Sequence, residues 1–115
     1  MRGKNPKIFL EDILKSIERI ELYTKGKTKK EFLDNYEKQD AIIKRLEVIG
    51  EAVKNIPSET KKKHPEIPWK DMAGMRNVLI HEYFGVIMDR VWDTAKNDIP
   101  KLKKQIKELL ENYGR

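Results

Sequence analysis

Apolar residues recur at helical spacing through most of the chain, and nowhere alternate with the period of two that a half-buried strand requires. Leu10, Ile13, Leu14, Ile17 and Ile20 stand three and four apart, with Glu11, Asp12, Lys15, Glu18 and Arg19 between them. This predicts an amphipathic helix of about four turns, closing before "YTKGKTKK", where Gly26 breaks it. Ile42, Leu46, Ile49 and Val53 define a second helix that stops near Pro57. Ahead of it, "KKEFLDNYEKQ" reads as a short helical turn, with Asp34 or Asn35 as a cap. "PSETKKKHPEIP", with its prolines and lysine run, reads as a surface connection. A third helix opens at Pro68 and Trp69 and is expected to end near Gly85.

The last stripe comprises Val91, Trp92, Ala95, Ile99, Leu102, Ile106, Leu109 and Tyr113. Pro100 interrupts it, so Asn97 or Asp98 is expected to cap a new helix with Pro100 in its first turn. Together the patterns predict an all-α, up-and-down bundle of about four to five helices without internal repeats. Trp69 and Trp92 fall on apolar stripes, which places them in the core rather than on a base-stacking platform.

Length and composition narrow this picture. A chain of 115 residues is expected to form a single domain, 1–115, with one core. Without cysteine it can hold neither disulfides nor thiolate metal sites. No apolar run approaches the ~20 residues of a membrane span, and "MRGKNPKIF" lacks the apolar region of a signal peptide, so a cytoplasmic protein that does not engage membranes is expected. Charged residues make up 38% of the chain and the formal net charge is +6. That excess favours a polyanion by long-range attraction, but equally fits a heavily solvated surface.

One segment departs from the pattern of apolar core and charged surface. "MRNVLIHEYFG", Met75 to Gly85, places an arginine, a histidine and a tyrosine within an otherwise apolar run. On a helix of about 100° per residue, Asn77 and His81 share one face and Arg76 and Tyr83 another, the two lying about 100–120° apart. Histidine exchanges a proton near neutral pH. Arginine offers a permanent positive fork suited to phosphate oxygens. The pair fits phosphodiester cleavage, in which a base takes the ribose 2′-hydroxyl proton and a cation stabilises the transition state. Such cleavage wants both an acid and a base, and a two-fold dimer with the third helices facing each other would supply two of each residue. Met75, Leu79 and Phe84 then become candidates for the dimer seam. On residue types alone a structural reading stays open, with Arg76 pairing a carboxylate and His81 and Tyr83 partly buried and hydrogen-bonded.

His64 and His81 are far apart in sequence and no H-x-x-x-H or H-E-x-x-H spacing occurs, so no metal and no cofactor is expected. Glu47 and Glu51, stacked at i and i+4, keep a carboxylate magnesium site open on spacing alone. Orienting Arg76 or an adjacent lysine is their expected role. Lys61, Lys62 and Lys63 are candidate contacts to an RNA backbone, although a lysine run on a surface is more often only solvated.

"RNVLIHEY" also resembles the R-x-x-x-x-H-x-Y signature of HEPN-domain ribonucleases, specifically the HepT-type toxins that pair with a minimal nucleotidyltransferase antitoxin of the MntA type. "RLEVIGEAVKNIP", "IPWKDMAGMRN" and "VWDTAKNDIPKL" resemble the family's other helices in the same order, so the likeness covers nearly the whole chain. The resemblance implies a helical bundle dimerising with its motifs facing in a basic cleft. It further implies metal-independent endoribonuclease activity on RNA such as tRNA or mRNA, leaving a 2′,3′-cyclic phosphate. Carried over by residue, Arg76 and His81 are the catalytic pair, Asn77 the polar helper, and Tyr83 the acceptor of adenylate groups from ATP that silence the toxin. A non-catalytic module that binds a nucleotidyltransferase is the alternative, although such modules commonly lack an intact Arg/His motif.

Overall fold

The computed structural model describes residues 5–74 and 84–113, and among them every regular element is helical. Helix α1 (Pro6–Thr24) begins where Asn5 accepts the Lys7 N–H at 2.9 Å, with Pro6 in the first turn, where a missing N–H leaves no hydrogen bond unmade. It runs through Tyr23 and Thr24, beyond the stop expected from sequence. The Lys25 N–H closes back on the Glu21 carbonyl at 2.9 Å, and Gly26 then turns the chain with φ 70°, a conformation that favours glycine.

Helix α2 (Lys29–Leu33) is set by a capping box. The Thr28 hydroxyl accepts the Glu31 N–H at 3.1 Å, and the Glu31 carboxylate accepts the Thr28 N–H at 2.8 Å. Helix α3 (Tyr36–Lys54) starts from Asn35, whose side chain accepts the Lys38 N–H at 3.0 Å. Of the two caps expected, Asn35 is the one used. Gln39 joins the two helices: it is buried, and its Nε2 donates to the Phe32 and Leu33 carbonyls, each at 3.0 Å. Those carbonyls end α2 and have no partner within so short a helix.

The prolines and lysines after α3 do not form a plain connection, contrary to expectation. Ser58–Lys63 is helical (α4), clamped by buried Ile56 and Ile67 on either side and by Thr60, whose hydroxyl lies 3.3 Å from that of Tyr113. Residues 69–74 form the described part of α5. Trp69 is buried there and its Nε1 donates to the His64 carbonyl at 3.0 Å, as its core placement requires.

The expected end of the third helix near Gly85 lies outside the described residues; Gly85 itself is in the first described turn of α6 (Phe84–Asp93), which Met88, Val91 and Trp92 bind into the core. Pro100 does not start a new helix capped by Asn97 or Asp98, contrary to expectation. Thr94–Asp98 forms a single π-helical turn, in which the Ile99 N–H reaches five residues back to the Thr94 carbonyl. Helix α7 (Ile99–Tyr113) continues from it. Widening the turn gives room to a residue with no N–H and a ring that would crowd the preceding carbonyls. Ala95, Ile99 and Leu102 remain buried on both sides of the widened turn.

The core gathers these elements. Leu10, Ile13, Ile17 and Ile20 of α1 are fully buried with Ile42, Leu46, Ile49 and Val53 of α3, while Ile99, Leu102, Ile106 and Leu109 of α7 complete the cluster. A part-buried ion pair, Lys103 to Glu21 at 2.7 Å, ties α7 to α1. No helix among the described residues is long and apolar enough to cross a membrane.

Candidate functional site

Arg76, Asn77, His81 and Tyr83 lie outside the described residues, as do Met75, Leu79 and the side chain of Phe84. The described structure instead fixes the two chain segments that enter and leave the motif. On the entering side, buried Met72 lies in α5, the Gln105 Nε2 of α7 donates to the Glu66 carbonyl at 3.0 Å, and the Trp69 bond to His64 braces the same turn. The chain is thereby held against α7 at Glu66, ten residues before Arg76.

On the leaving side, α6 is held at its far end. Lys29 of α2 pairs with Asp89 at 3.1 Å and Asp93 at 3.8 Å, and all three side chains are largely exposed. The hydrogen bond that Lys29 donates to Asp89 is the main reason its pKa rises above the ordinary 10.5. Phe32 of α2 meets Trp92 of α6 with ring centroids 5.4 Å apart and planes tilted by 33°. The motif thus sits in sequence between a segment fixed to α7 and a helix fixed to α2.

The remaining candidates fall on different elements. Lys61, Lys62 and Lys63 form the last turn of α4, the first half-buried and the other two exposed. Cations there complement the negative end of the helix dipole, so the cluster has a structural use as well as any contact it makes. Glu47 is half-buried and Glu51 exposed, one turn apart on α3. Among the described residues no three His, Asp or Glu side chains converge in a way that could hold a metal ion. Trp92 is buried as expected, but it also lines an open cleft of about 460 Å³ that reading the sequence did not anticipate. The signal was a tyrosine followed by a lysine on each side of α2, Tyr23 with Lys27 at the end of α1 and Tyr36 with Lys38 at the start of α3.

The family profile described as "Ribonuclease HepT-like" matches residues 13–109. A protein of Methanocaldococcus jannaschii named "Gamma-glutamylcyclotransferase and putative RNase" is 51% identical over 112 residues, which cover 97% of this chain and 50% of that protein. The chain therefore spans half the length of that relative. A "Probable ribonuclease HepT" of Thermococcus cleftensis is 49% identical over 92% of this chain and 96% of its own length. A "Putative RNase" of Caldanaerobacter subterraneus is 45% identical over 94% of this chain and 96% of its own. No solved structure matches the chain.

Proposed function

The chain belongs to the HepT-like ribonuclease family, and from that premise we propose that it is the toxin of a toxin–antitoxin pair, a metal-independent endoribonuclease acting as a homodimer. The observation that carries this reading is that the family match, residues 13–109, encloses a complete Arg76–Asn77, His81, Tyr83 motif. The net charge of +6 supports a polyanionic substrate such as tRNA or mRNA.

In this reading His81 takes the proton of a ribose 2′-hydroxyl. The 2′-oxygen then attacks the adjacent phosphorus while the bond to the 5′-oxygen breaks. The leaving oxygen receives a proton from His81 of the second copy, and the products are a 2′,3′-cyclic phosphate and a 5′-hydroxyl. Arg76 holds the phosphate and stabilises the charge that develops on it, and Asn77 adds a polar contact. Exposed Lys62 and Lys63, with Lys61, take the RNA backbone outside the cut. Tyr83 is the point of control. Its oxygen accepts adenylate from ATP, with release of pyrophosphate, on an MntA-type nucleotidyltransferase antitoxin. The added phosphate, two residues from His81 in sequence, then occupies the ground of the scissile phosphate and repels RNA.

The test is cleavage of total tRNA and of an mRNA in EDTA, using protein made without any nucleotidyltransferase and shown by mass spectrometry to carry an unmodified Tyr83. Cleavage that falls by ~100-fold or more in His81→Ala, at unchanged helicity, is the expected result. Native-rate cleavage by His81→Ala would overturn the assignment. Absence of cleavage by the unmodified native protein would instead favour the non-catalytic, nucleotidyltransferase-binding module.

A further inference from the structure

The cleft at the far end of α6 has the composition of a nucleotide-binding site. It opens between the end of α1, helix α2, the start of α3 and Trp92, with a volume of about 460 Å³. That lies within the range of small-molecule sites. Tyr23, Phe32, Tyr36 and Trp92 line it, together with Lys27 and Lys38. Tyr36 opens α3 with 72% of its surface exposed, an unusual place for a large ring. Tyr23 and Trp92 already carry cations: Lys38 Nζ stands 5.0 Å from the Tyr23 ring centre and Lys96 Nζ 5.5 Å from that of Trp92. The lysines thus have room for a second, anionic partner on their other side.

Two lysines, Lys27 and Lys38, line the cleft with two carboxylates, Glu31 and Asp34, and Glu31 is committed to the Thr28 N–H at 2.8 Å. Aromatic faces interleaved with lysines are what a single-stranded nucleic acid requires, stacking a base on the ring and placing its phosphate on the cation. A neutral apolar ligand would leave the lysines unused, and a purely anionic one would leave the rings unused.

Position selects RNA over a free nucleotide. Phe84, the first residue after the motif, and Trp92 lie on one helix, so about 12 Å of helix rise separates them. That is about three or four nucleotides at the 3.4 Å step of a stacked strand, fewer if the strand is extended. We propose that the Tyr23–Tyr36–Trp92 cleft, with Lys27 and Lys38, is a secondary subsite that stacks one base of the single-stranded RNA substrate a few nucleotides from the cut. This rests on the ribonuclease reading for the identity of the strand, but not for the chemistry of the cleft.

The test measures binding of fluorescent, uncleavable 2′-O-methyl RNA of two to twelve nucleotides to the full chain by anisotropy, with AMP and ATP as competitors. Native protein should show a step in affinity once the oligonucleotide is long enough to span from the motif to the cleft. Tyr36→Ala should remove roughly five- to a hundred-fold of that affinity, and Tyr36→Phe should restore it, because stacking needs the ring and not the hydroxyl. Because Tyr36 is so exposed, an unchanged thermal melt is expected for both variants.

Equal affinity of native and Tyr36→Ala proteins at every length would overturn the subsite. So would AMP or ATP displacing the RNA from the cleft at concentrations where they bind it more tightly than the oligonucleotide does, which would make it a free-nucleotide site. A Tyr36-dependent step in a protein that never cleaves RNA would uphold the subsite while the ribonuclease reading fails. Cleavage without such a step would do the reverse.

Discussion

The seam between α1 and α3 and the junction between α2 and α6 are held by different physics. Across the seam, Leu10, Ile13, Ile17 and Ile20 meet Ile42, Leu46, Ile49 and Val53, none more than 2% exposed. No directional contact is needed there, because burying that much apolar surface is itself the dominant stabilising term. At the α2–α6 junction a single exposed lysine reaches two aspartates, one aromatic pair touches, and a cleft opens beside it. The α1–α3 seam is therefore held by burial alone, whereas α6 adds an exposed ion pair, with which solvent competes, to its buried Met88, Val91 and Trp92.

Substitutions at four positions sharpen or break this contrast. Ile49→Ala, in the middle of the seam, should destabilise the protein by about 2–5 kcal/mol in urea unfolding, since it removes buried carbons and leaves a void that packing cannot close. A loss below ~1 kcal/mol would mean that the seam is not the main store of stability.

Gln39→Ala should cost about 1–3 kcal/mol. Its amide donates to the last two carbonyls of α2; without it the Phe32 carbonyl keeps only the Asn35 N–H and the part-buried Leu33 carbonyl loses its Gln39 donor. Gln39→Met should cost less, because it keeps the volume and also removes the buried Oε1, which has no partner among the described residues.

Gly74→Ala should stabilise by about 0.5–1 kcal/mol. The residue is helical, and an added Cβ meets no described atom within 4 Å. If the stabilised protein also cleaves RNA more slowly, conformational freedom just ahead of Arg76 is part of the activity.

Lys29→Met should have the smallest effect, a slight fall in melting temperature that vanishes in 1 M salt, because both partners are exposed. The hydrogen bond to Asp89 raises the Lys29 pKa above 10.5. A raised lysine pKa gives a contribution that is complete below the unfolded value and is lost as pH rises through the folded one. The difference between native and variant melts should thus be constant from neutral pH to about 10 and close only above it. Lys103, raised chiefly by its hydrogen bond to Glu21, adds a loss of the same sign between α7 and α1.

The helices were legible because their evidence is local. Periodic isoleucines and leucines mark a buried face whatever that face meets, and Asn5, Thr28 and Asn35 cap with their own side chains within three residues. The reading of Arg76, His81 and Tyr83 as a site is local in the same sense, since proton exchange and phosphate recognition are properties of the residue types, and it remains a proposal outside the described residues. Pro100 was misread as the start of a new helix because local propensity was allowed to decide. A proline's clash disappears when one turn widens so that the Ile99 N–H reaches Thr94.

The sequence by itself determined an all-helical chain, its apolar faces, its basic charge and a motif whose residues suit RNA cleavage. Only the tertiary structure decided which stop signals would yield. It also decided that the lysine run would end a short helix, that Gln39 would be buried to finish α2, and that Tyr23, Tyr36 and Trp92 would meet around one cleft. Each of those outcomes depends on contacts between residues distant in the chain, where burial summed over several side chains exceeds the preference of any one.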